Sequence, residues 1–463
     1  MKLFILHPGI QHAAHLANGA NRTGFFEQVT LFTSILFKPH QKVIGILKKR
    51  KKPLDQEIKI KNHYGYTLLA NVSRVLYNQV IVNPHNQSHN NPIYFWQQVF
   101  GYLCLPSIYW NRKNLMVVCF ETTGWPVVHF CKKWNIPVIM DFASISHEKA
   151  KTLGIHETNY GIALKLKERV LIDYGFYCSQ FCRDSFKGLT SARKDFVLYL
   201  GAEGRKMQES SSKKQEVGSR KSVVRSLWLE EKEMEGDSIE YQVASNKMLD
   251  ARSIKKEANS QRSAVDIQER VQHGKQIDCI KISFIANLEH RKGLDIFLEG
   301  IYAYAYPVFL EVHLIGRIRK EWVEAHMPPI ILNQQVKLIY QPAMSQGNLF
   351  DYLAQEQFDL NVQTSRFDSF AMVVPETMMQ GIANVVSPYV GAGEMIHDGI
   401  DGFKMPELNG VSLNRILLNY VNLNQEQRKA LKEQVLNGAQ HMVWENYYAN
   451  LGLVFKEILA DIA

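Results

Sequence analysis

Three carboxylates and a small-residue turn lie close together within residues 368–394. Asp368 precedes Glu376 by eight positions, and Glu394 closes the turn GAGE. Carboxylates accept hydrogen bonds from vicinal hydroxyl groups, which a ribose and a sugar ring both present. Small residues allow backbone N–H groups to approach the phosphates between those hydroxyls. The segment therefore predicts a site for a ligand that combines sugar hydroxyls with phosphate.

A second group of candidate residues follows the apolar run IKISFIAN. Arg291 and Lys292 come just before Gly293 and an amphipathic helical pattern. Cations at the start of a helix oppose its macrodipole, so they suit a phosphate better than they suit the helix. A solvated turn with outward-facing basic side chains is the alternative. Gly9, after the first apolar run, would let the backbone approach a diphosphate, although any tight turn uses glycine in the same way.

Short apolar runs that alternate with helical patterns must position these residues. Such a rhythm predicts two doubly wound parallel sheets, in which ligands bind at the carboxyl ends of the strands. Each candidate loop has that position. The predicted strands cover residues 2–8, 114–121, 136–142, 174–180, 280–287, 309–316, 336–341, 358–365 and 384–388.

The length of 463 residues exceeds what one hydrophobic core usually supports, so we expect two domains. We predict an N-terminal Rossmann-like domain over residues 1–175, with a C-terminal helix at 444–463 packed back on it. The second Rossmann-like domain covers residues 176–443. It includes a charged, low-complexity insertion at 204–276, whose only aromatic residues are Trp228 and Tyr241 and which has little apolar surface to bury.

The net charge of +9 favours an anionic partner. Its densest part is KKRKK, formed by Lys48, Lys49, Arg50, Lys51 and Lys52. This run follows VIGIL and suits an anionic membrane surface, while a solvated basic loop fits the pattern equally. No recognition motif for nucleic acid accompanies the charge, so we expect no nucleic-acid partner.

Other features indicate where the chain works. We find no apolar run of about 18 residues and no signal peptide, which predicts a cytoplasmic protein, peripheral on the inner face of the membrane if the basic run binds lipid. The six cysteines lack paired metal-ligand spacing, so we expect reduced structural thiols. No metal cluster is evident from the sequence, and we expect no cofactor and a metal-independent reaction.

The ordered motifs resemble those of the retaining glycosyltransferases of the GT-B fold, family 4. From Thr364 to Gly402 the chain reads TSRFDSFAMVVPETMMQGIANVV and then GAGEMIHDGIDG. The family signature is PSxxEGFGxxxxEAMAxGxPVV, followed by GGxxE and DGxxG. The resemblance extends more weakly over both domains and does not include residues 204–276. It implies an α/β protein of GT-B fold, in which two Rossmann-like doubly wound domains face a central cleft.

The resemblance also implies roles for individual residues. Asp368 would hold the donor-sugar hydroxyls, Glu376 the ribose and Lys292 the diphosphate, with Glu394 beside them. His147 stands where family members often place a histidine that faces the donor sugar, a structural histidine being the alternative. The catalytic candidates are therefore Asp368, Lys292 and His147. The donor-binding candidates are Gly9, Asn287, Arg291, Lys292, Asp368, Ser369, Phe370, Ala371, Met372, Glu376, Gly391, Gly393 and Glu394.

Three departures from the family pattern stand out. The first acid is Asp368 and not glutamate. Asn287 replaces a phosphate-binding arginine, for which Arg291 or Arg317 would have to substitute. The segment 369–371 reads Ser-Phe-Ala where the family has Gly-Phe-Gly. These changes either tune the choice of donor or mark an enzyme that has lost activity.

The resemblance implies transfer of a sugar from a nucleotide sugar to a saccharide or lipid-linked acceptor, with retention of anomeric configuration. Synthesis of cell-surface polysaccharide or glycoconjugate is the expected context, and the first domain would bind the acceptor. One alternative is a noncatalytic relative that binds nucleotide sugar or partners an active transferase. Another is a phosphorylase or epimerase on the same fold, although we find no Schiff-base lysine site for a cofactor-dependent phosphorylase.

Overall fold

The computed structural model describes residues 1–9, 12–42, 51–66, 69–70, 92–155, 159–203, 279–302, 304–317 and 336–463. Within these ranges the chain forms two parallel β-sheets, one from each half of the sequence. The predicted insertion at 204–276 lies outside the described residues, as do Lys48, Lys49 and Arg50 of the basic run.

Among the described residues the first sheet has seven parallel strands in the order β3-β2-β1-β4-β5-β6-β7. The chain winds outward from β1 on one side and from β4 on the other, as in a Rossmann fold. The strands are β1 (Lys2–Leu6), β2 (Gln28–Thr33), β3 (Lys59–Asn62), β4 (Leu115–Phe120), β5 (Val138–Phe142), β6 (Tyr174–Tyr177) and β7 (Lys194–Val197). The helices of this half are α1 (Ala13–Arg22), α2 (Pro92–Asn111), α3 (Trp125–Lys133), α4 (His147–Thr152), α5 (Asn159–Glu168) and α6 (Gln180–Ser185).

The second sheet repeats this winding in the order β10-β9-β8-β11-β12-β13. Its strands are β8 (Cys279–Ile285), β9 (Phe309–Gly316), β10 (Val336–Pro342), β11 (Leu360–Gln363), β12 (Ala383–Val386) and β13 (Gly402–Lys404). The helices are α7 (Leu294–Tyr302), α8 (Gln346–Glu356), α9 (Val373–Met378), α10 (Gly410–Val421), α11 (Gln425–Ala439) and α12 (Trp444–Ile462). The prediction of two Rossmann-like, doubly wound sheets is confirmed.

Continuous apolar strands explain why both sheets are parallel and buried. All six residues of β4, LMVVCF, are buried, and so are all five of β5, VIMDF. Parallel sheets covered by helices need such runs, because neither face meets water. The strands β2, β3, β7 and β13 lie outside the predicted runs. Of these, β3 reads KIKN and β7 reads KDFV, and both lie at sheet edges, where charged residues reach solvent.

The boundary predicted between residues 175 and 176 falls inside β6. This strand pairs with β5 from Tyr174 to Tyr177, and β7 then pairs with β6. The first sheet therefore continues to Val197, and the predicted boundary was too early. The physical reason is that β6 and β7 satisfy their backbone hydrogen bonds against the first sheet.

Helix α12 returns the end of the chain to the first sheet. The His15 ring on α1 stacks on Trp444 with centroids 3.6 Å apart. Phe455 packs edge-on against Phe26 at 5.0 Å. The Tyr174 hydroxyl donates to Asp461 at 2.6 Å. These contacts join α12 to β6 and α1, so the two halves are connected by packing as well as by the chain.

Candidate functional site

The strand order of the second sheet creates a crevice between two diverging loops. The chain leaves β8 toward β9 and returns at β11, so the loops after β8 and β11 turn in opposite directions. The first loop carries Asn287 to Lys292 and the second carries Ser365 to Ala371. The Lys292 ammonium donates to Asp368 Oδ2 across this crevice. The fold therefore brings together two predicted residues that are 76 positions apart.

Asp368 also organises the turn that follows it. Its Oδ1 accepts hydrogen bonds from the backbone N–H of Ala371 at 2.8 Å and of Phe370 at 3.3 Å. Ala371 has φ of 66°, in the left-handed region. An alanine there costs roughly 1–2 kcal/mol compared with a right-handed conformation, and glycine avoids this cost. Residue 371, where the family that the chain resembles has glycine, therefore adopts a left-handed backbone conformation. Its N–H group already donates to Asp368.

Glu376 lies in the first turn of the short helix α9. The side-chain amide of Gln346, at the start of α8, donates to Glu376 Oε1 at 2.6 Å. Burial raises the pKa of Glu376 to about 7; the Gln346 hydrogen bond opposes this rise and nearby Glu203 adds to it. A ligand that donates hydroxyl hydrogen bonds to this carboxylate would favour its ionised form.

Glu394 makes its contacts with the other half of the molecule. Its carboxylate accepts backbone N–H groups of Gln180 at 2.8 Å and Phe181 at 2.6 Å, at the start of α6. The Tyr199 hydroxyl donates to the same carboxylate at 2.9 Å. Unpaired N–H groups at a helix start attract a carboxylate. In this structure Glu394 therefore connects the two halves.

Ser369 is the other predicted residue that connects the halves. Its hydroxyl donates to the Ala143 carbonyl at 2.7 Å, just beyond β5. Its own carbonyl accepts from the Ser179 hydroxyl at 2.7 Å and from the Cys178 thiol at 3.4 Å. A Cβ at Gly391 would lie 2.0 Å from the Ser369 carbonyl oxygen, so position 391 admits only glycine without a shift of backbone. The two halves thus touch beside Asp368.

The remaining second-half candidates surround this point. Arg291 contacts Glu289 Oε1 at 3.2 Å and lies over the Phe367 ring at 5.3 Å from its centroid. Asn287 and Arg317 are exposed beyond β8 and β9. Three more candidates lie in this region: Phe370 is buried, Met372 is half-buried just before α9, and Gly393 is buried in the 3₁₀ turn Gly391–Met395.

The first-half candidates lie at the carboxyl ends of other strands. Gly9 follows β1, where its N–H donates to His7 Nδ1 at 2.8 Å and its carbonyl accepts from Thr33 at 2.8 Å. His147 is the first residue of α4, after β5. Ala143, in the loop that leads from β5 to α4, contacts Ser369.

Sequence reasoning missed the ion pair that fixes the crevice loops. Arg366 contacts both carboxylate oxygens of Asp295, at 2.8 and 2.6 Å, and donates to the His290 carbonyl at 2.6 Å. Burial favours neutral Asp295, yet the Arg366 hydrogen bonds and charge hold the pKa of this carboxyl below its usual value. Gly293 lets the loops meet, because a Cβ there would lie 1.9 Å from the Thr364 carbonyl oxygen. No local pattern pairs residues 295 and 366, so the sequence offered no signal.

A buried polar pair in the first half was also missed. His12 Nε2 lies 2.9 Å from Asp141 Oδ2, and both side chains are buried. They stand at the carboxyl ends of β1 and β5, with the Phe120 ring 5.2 Å from the His12 ring. The signal available in the sequence was a carboxylate inside the apolar run of β5, since a buried acid needs a partner.

One group of potential metal ligands lies elsewhere. Glu311, His313 and Glu356 have ligand atoms within 4.8 Å of one another. However, the Lys281 ammonium lies 2.9 Å from Glu356 and the Lys337 ammonium lies 2.9 Å from Glu311. Two ammonium groups already neutralise these carboxylates, so the group is an ion-pair network. It sits toward the amino ends of β8 and β9, away from the crevice.

Comparison with known proteins identifies the fold of this chain. A family model described as Glycosyl transferases group 1 matches residues 279–420, the part that contains the crevice. No curated protein matches the chain. The chain has the GT-B fold of two facing Rossmann-like halves.

Three solved structures illustrate that fold over the whole chain. HepE of Anabaena, solved with UDP and glucose, is 12% identical with a TM-score of 0.56 and 100% of both chains covered. Sucrose-phosphate synthase from Thermosynechococcus elongatus is 11% identical with a TM-score of 0.56 and 100% of both chains covered. WaaG, a glycosyltransferase involved in lipopolysaccharide biosynthesis, is 10% identical with a TM-score of 0.54, covering 98% of this chain and 99% of its own.

Proposed function

We propose that the protein is a glycosyltransferase that moves a sugar from a nucleotide sugar to an acceptor hydroxyl. The observation that carries this proposal is the contact between Lys292 and Asp368 in the crevice of the second sheet. A cation for phosphate and a carboxylate for sugar hydroxyls stand side by side there. Open α/β sheets bind their ligands at this point, and the group 1 model matches this region.

The proposed reaction exchanges one bond to the anomeric carbon for another. The bond to the donor diphosphate breaks, the acceptor oxygen forms the new bond, and the acceptor proton leaves with the diphosphate. Lys292 stabilises the charge that grows on the diphosphate, in a transition state of oxocarbenium character. Asp368 holds the sugar hydroxyls and Glu376 the ribose. We propose retention of configuration, without a metal and without a protein nucleophile.

A UDP-sugar is the donor class that we favour. HepE, which shares the fold over its whole length, was solved with UDP and glucose. That likeness supports a nucleoside diphosphate in the crevice of the second sheet. Arg291 and Asn287 would lie beside the diphosphate, and Glu376 with Gln346 beside the ribose.

The acceptor belongs to the first half in this proposal. We propose that Gly9, after β1, and His147, at the start of α4 after β5, lie beside the acceptor. A saccharide or lipid-linked acceptor at the inner face of the membrane would fit the net charge of +9. The likeness to WaaG supports a role in cell-surface glycoconjugate synthesis. Of the predicted basic run the structure describes Lys51 and Lys52, and the Lys51 ammonium donates to the Pro39 carbonyl at 2.9 Å.

The test is a panel of nucleotide sugars with the full chain, read by melting temperature and by release of nucleoside diphosphate. We expect one donor to stabilise the protein and to be hydrolysed slowly without acceptor. Lys292→Ala should reduce turnover by about 100- to 1000-fold, because it removes the charge that stabilises the leaving group. Glu376→Ala should weaken donor binding. Lys429→Ala, on the exposed face of α11, is the matched control and should behave as the wild type.

A second candidate function is a noncatalytic protein that binds nucleotide sugar. The contacts of Ser369 and Glu394 with the first half favour it, since they engage predicted donor-binding groups in holding the halves together. Donor binding without any turnover, with lipid-linked acceptors present, would establish this second function. Absence of donor binding would contradict both.

A further inference from the structure

Helix α2 has an apolar outer face. It contains 20 residues without a single charged side chain. Its inner residues Phe100, Cys104 and Ile108 are fully buried in the core. A helix on the surface of a globular domain normally carries polar residues on the opposite side. The outward residues here are Phe95, Tyr102, Leu103, Tyr109 and Trp110, of which Trp110 is 80% exposed and Tyr102 57%.

The apolar face continues onto the neighbouring helix. Trp134, at the end of α3, is 39% exposed and lies edge-on to Tyr109 with centroids 5.5 Å apart. The Arg112 guanidinium lies over both rings, 4.1 Å from Tyr109 and 4.9 Å from Trp134. We define the apolar ridge as Phe95, Tyr102, Leu103, Tyr109, Trp110 and Trp134.

Cations border this ridge. Lys2 reaches α2 through Asn111 Oδ1 at 2.8 Å, and Lys61 reaches it through the Ser107 hydroxyl at 3.0 Å. The ends of α2 and α3 add exposed or half-buried basic residues. They are Arg112, Lys113, Lys132 and Lys133.

Acidic residues are missing from this part of the sequence. No Asp or Glu occurs at positions 58–120 or 122–140, although the chain has 45 acidic residues. Glu121, between the two stretches, has a side chain that is only 8% exposed and lies 3.4 Å from the Lys165 ammonium. Glu27, near Asn114, is paired with the α-amino group of Met1 at 2.8 Å. The face around α2 is therefore apolar at its centre and positive at its edge.

We propose that the apolar ridge and its bordering cations form a docking surface for an anionic lipid bilayer. Trp and Tyr side chains favour the boundary between headgroups and acyl chains, and basic residues beside them attract anionic headgroups. A second copy of the chain is a poorer occupant, because a symmetric contact would place the cations of both copies face to face. An apolar protein partner would leave the cations without a role.

This face would lie on the surface of the bilayer and would not cross it. Within the part of the chain that the structure describes, no helix is long and apolar enough to span a membrane. The inner face of α2 is also packed in the protein core. An interfacial position, with the apolar side chains inserted shallowly, fits both facts.

The ridge extends toward the cleft. Gln98, near the beginning of α2, donates its side-chain amide to the Thr122 carbonyl, just beyond the carboxyl end of β4. Asn114, just after the end of α2, immediately precedes the amino end of the same strand. A bilayer on this face would present a lipid-linked acceptor at the rim of the first half. This last step rests on the proposed function, whereas lipid binding itself does not.

The test is cosedimentation of the full chain with vesicles of phosphatidylcholine, with and without phosphatidylglycerol. We expect binding to the anionic vesicles, at least tenfold weaker binding to the neutral ones, and loss of binding in high salt. Tyr102→Ser with Trp110→Ser should reduce binding at least tenfold, and so should Lys132→Glu with Lys133→Glu. Donor-binding shifts in melting temperature should stay as in the wild type, which separates failure of this surface from failure of the crevice.

Matched controls use exposed residues far from the ridge. Leu453→Ser on α12 removes an exposed apolar side chain, and Lys429→Glu with Lys432→Glu on α11 reverses two charges. Both should bind vesicles as the wild type does. The proposal is wrong if the wild type does not bind anionic vesicles, or if the control variants lose vesicle binding as the ridge variants do. It is also wrong if the wild type forms a dimer that Trp110→Ser abolishes while vesicle binding persists.

Discussion

The two sheets share a strand order, yet their crevices contain different chemical groups. In the second sheet the half-buried pair Lys292 and Asp368 spans the crevice between β8 and β11. In the first sheet the buried pair His12 and Asp141 lies beside the Phe120 ring. A half-buried ion pair can exchange a partner for a ligand, whereas a buried pair that loses one partner leaves a costly unpaired group. The same topology therefore supports a ligand site in one half and, by this reasoning, a structural contact in the other.

Among the changes that contrast the two crevices, the largest effect should come from neutralising the carboxylate of the second crevice. Asp368→Asn keeps the shape and still offers an oxygen to the Ala371 N–H, but it removes the charge. We expect turnover to fall by about 100-fold, with a melting temperature near that of the wild type. Steady-state kinetics with the donor that the nucleotide-sugar panel identifies would measure the change in turnover. Asp351→Asn, at an exposed position on α8, is the control. An equal loss of turnover in this variant would contradict a specific role for Asp368.

The matching substitution in the first crevice should act on stability instead. Asp141→Asn weakens a buried hydrogen bond to His12, which should lower the free energy of unfolding by about 2 kcal/mol. Urea unfolding followed by fluorescence would measure the change. Turnover per folded molecule should persist. If turnover disappeared while stability remained, the first crevice would also take part in the chemistry and the contrast between the halves would fail.

The pH dependence of donor binding would sharpen the contrast further. Burial raises the pKa of Glu376 to about 7, so its ionised fraction grows as the pH rises from 6 to 8. Ribose hydroxyls bind the ionised form better, and we therefore expect the affinity for UDP-glucose to increase by up to roughly tenfold over this range. Calorimetry on the wild type and on Glu376→Gln would test this, because the variant should show a flat profile. A slope unchanged in the variant would assign the titration to another group.

The smallest effect concerns the turn after Asp368. Ala371→Gly relieves a left-handed alanine and should raise the free energy of unfolding by about 1 kcal/mol. Ala392→Gly, at a buried position in the neighbouring 3₁₀ turn without positive φ, should lower it by about 0.5–1 kcal/mol. Chemical denaturation of the two variants gives the comparison. The two substitutions should change the free energy of unfolding in opposite directions. A loss of stability in both variants would contradict backbone strain at Ala371.

Regular elements were predictable because their signal is local. LMVVCF is apolar throughout, and VIMDF is apolar except for Asp141; parallel strands covered by helices require such runs. The alternation of strands and loops predicts Lys292 and Asp368 in loops that each follow a strand, and the structure brings these two loops together. Edge strands such as β3 and β7 were missed because their charged residues disguise the strand pattern. The predicted boundary at 175 was too early, because β6 pairs with β5 and β7 pairs with β6. Backbone pairing, and not composition, decides which sheet a strand joins.

The amino-acid sequence alone accounts for the alternation of strands and helices, the carboxylates and cations available to a donor, and the net positive charge. Those properties depend on residue type and short-range spacing. Folding of the whole chain pairs Arg366 with Asp295, connects the two halves through Ser369 and Glu394, and leaves the apolar face of α2 exposed. Each of these depends on which distant surfaces meet when the core forms, and that arrangement is set by packing and hydrogen-bond satisfaction across the whole chain.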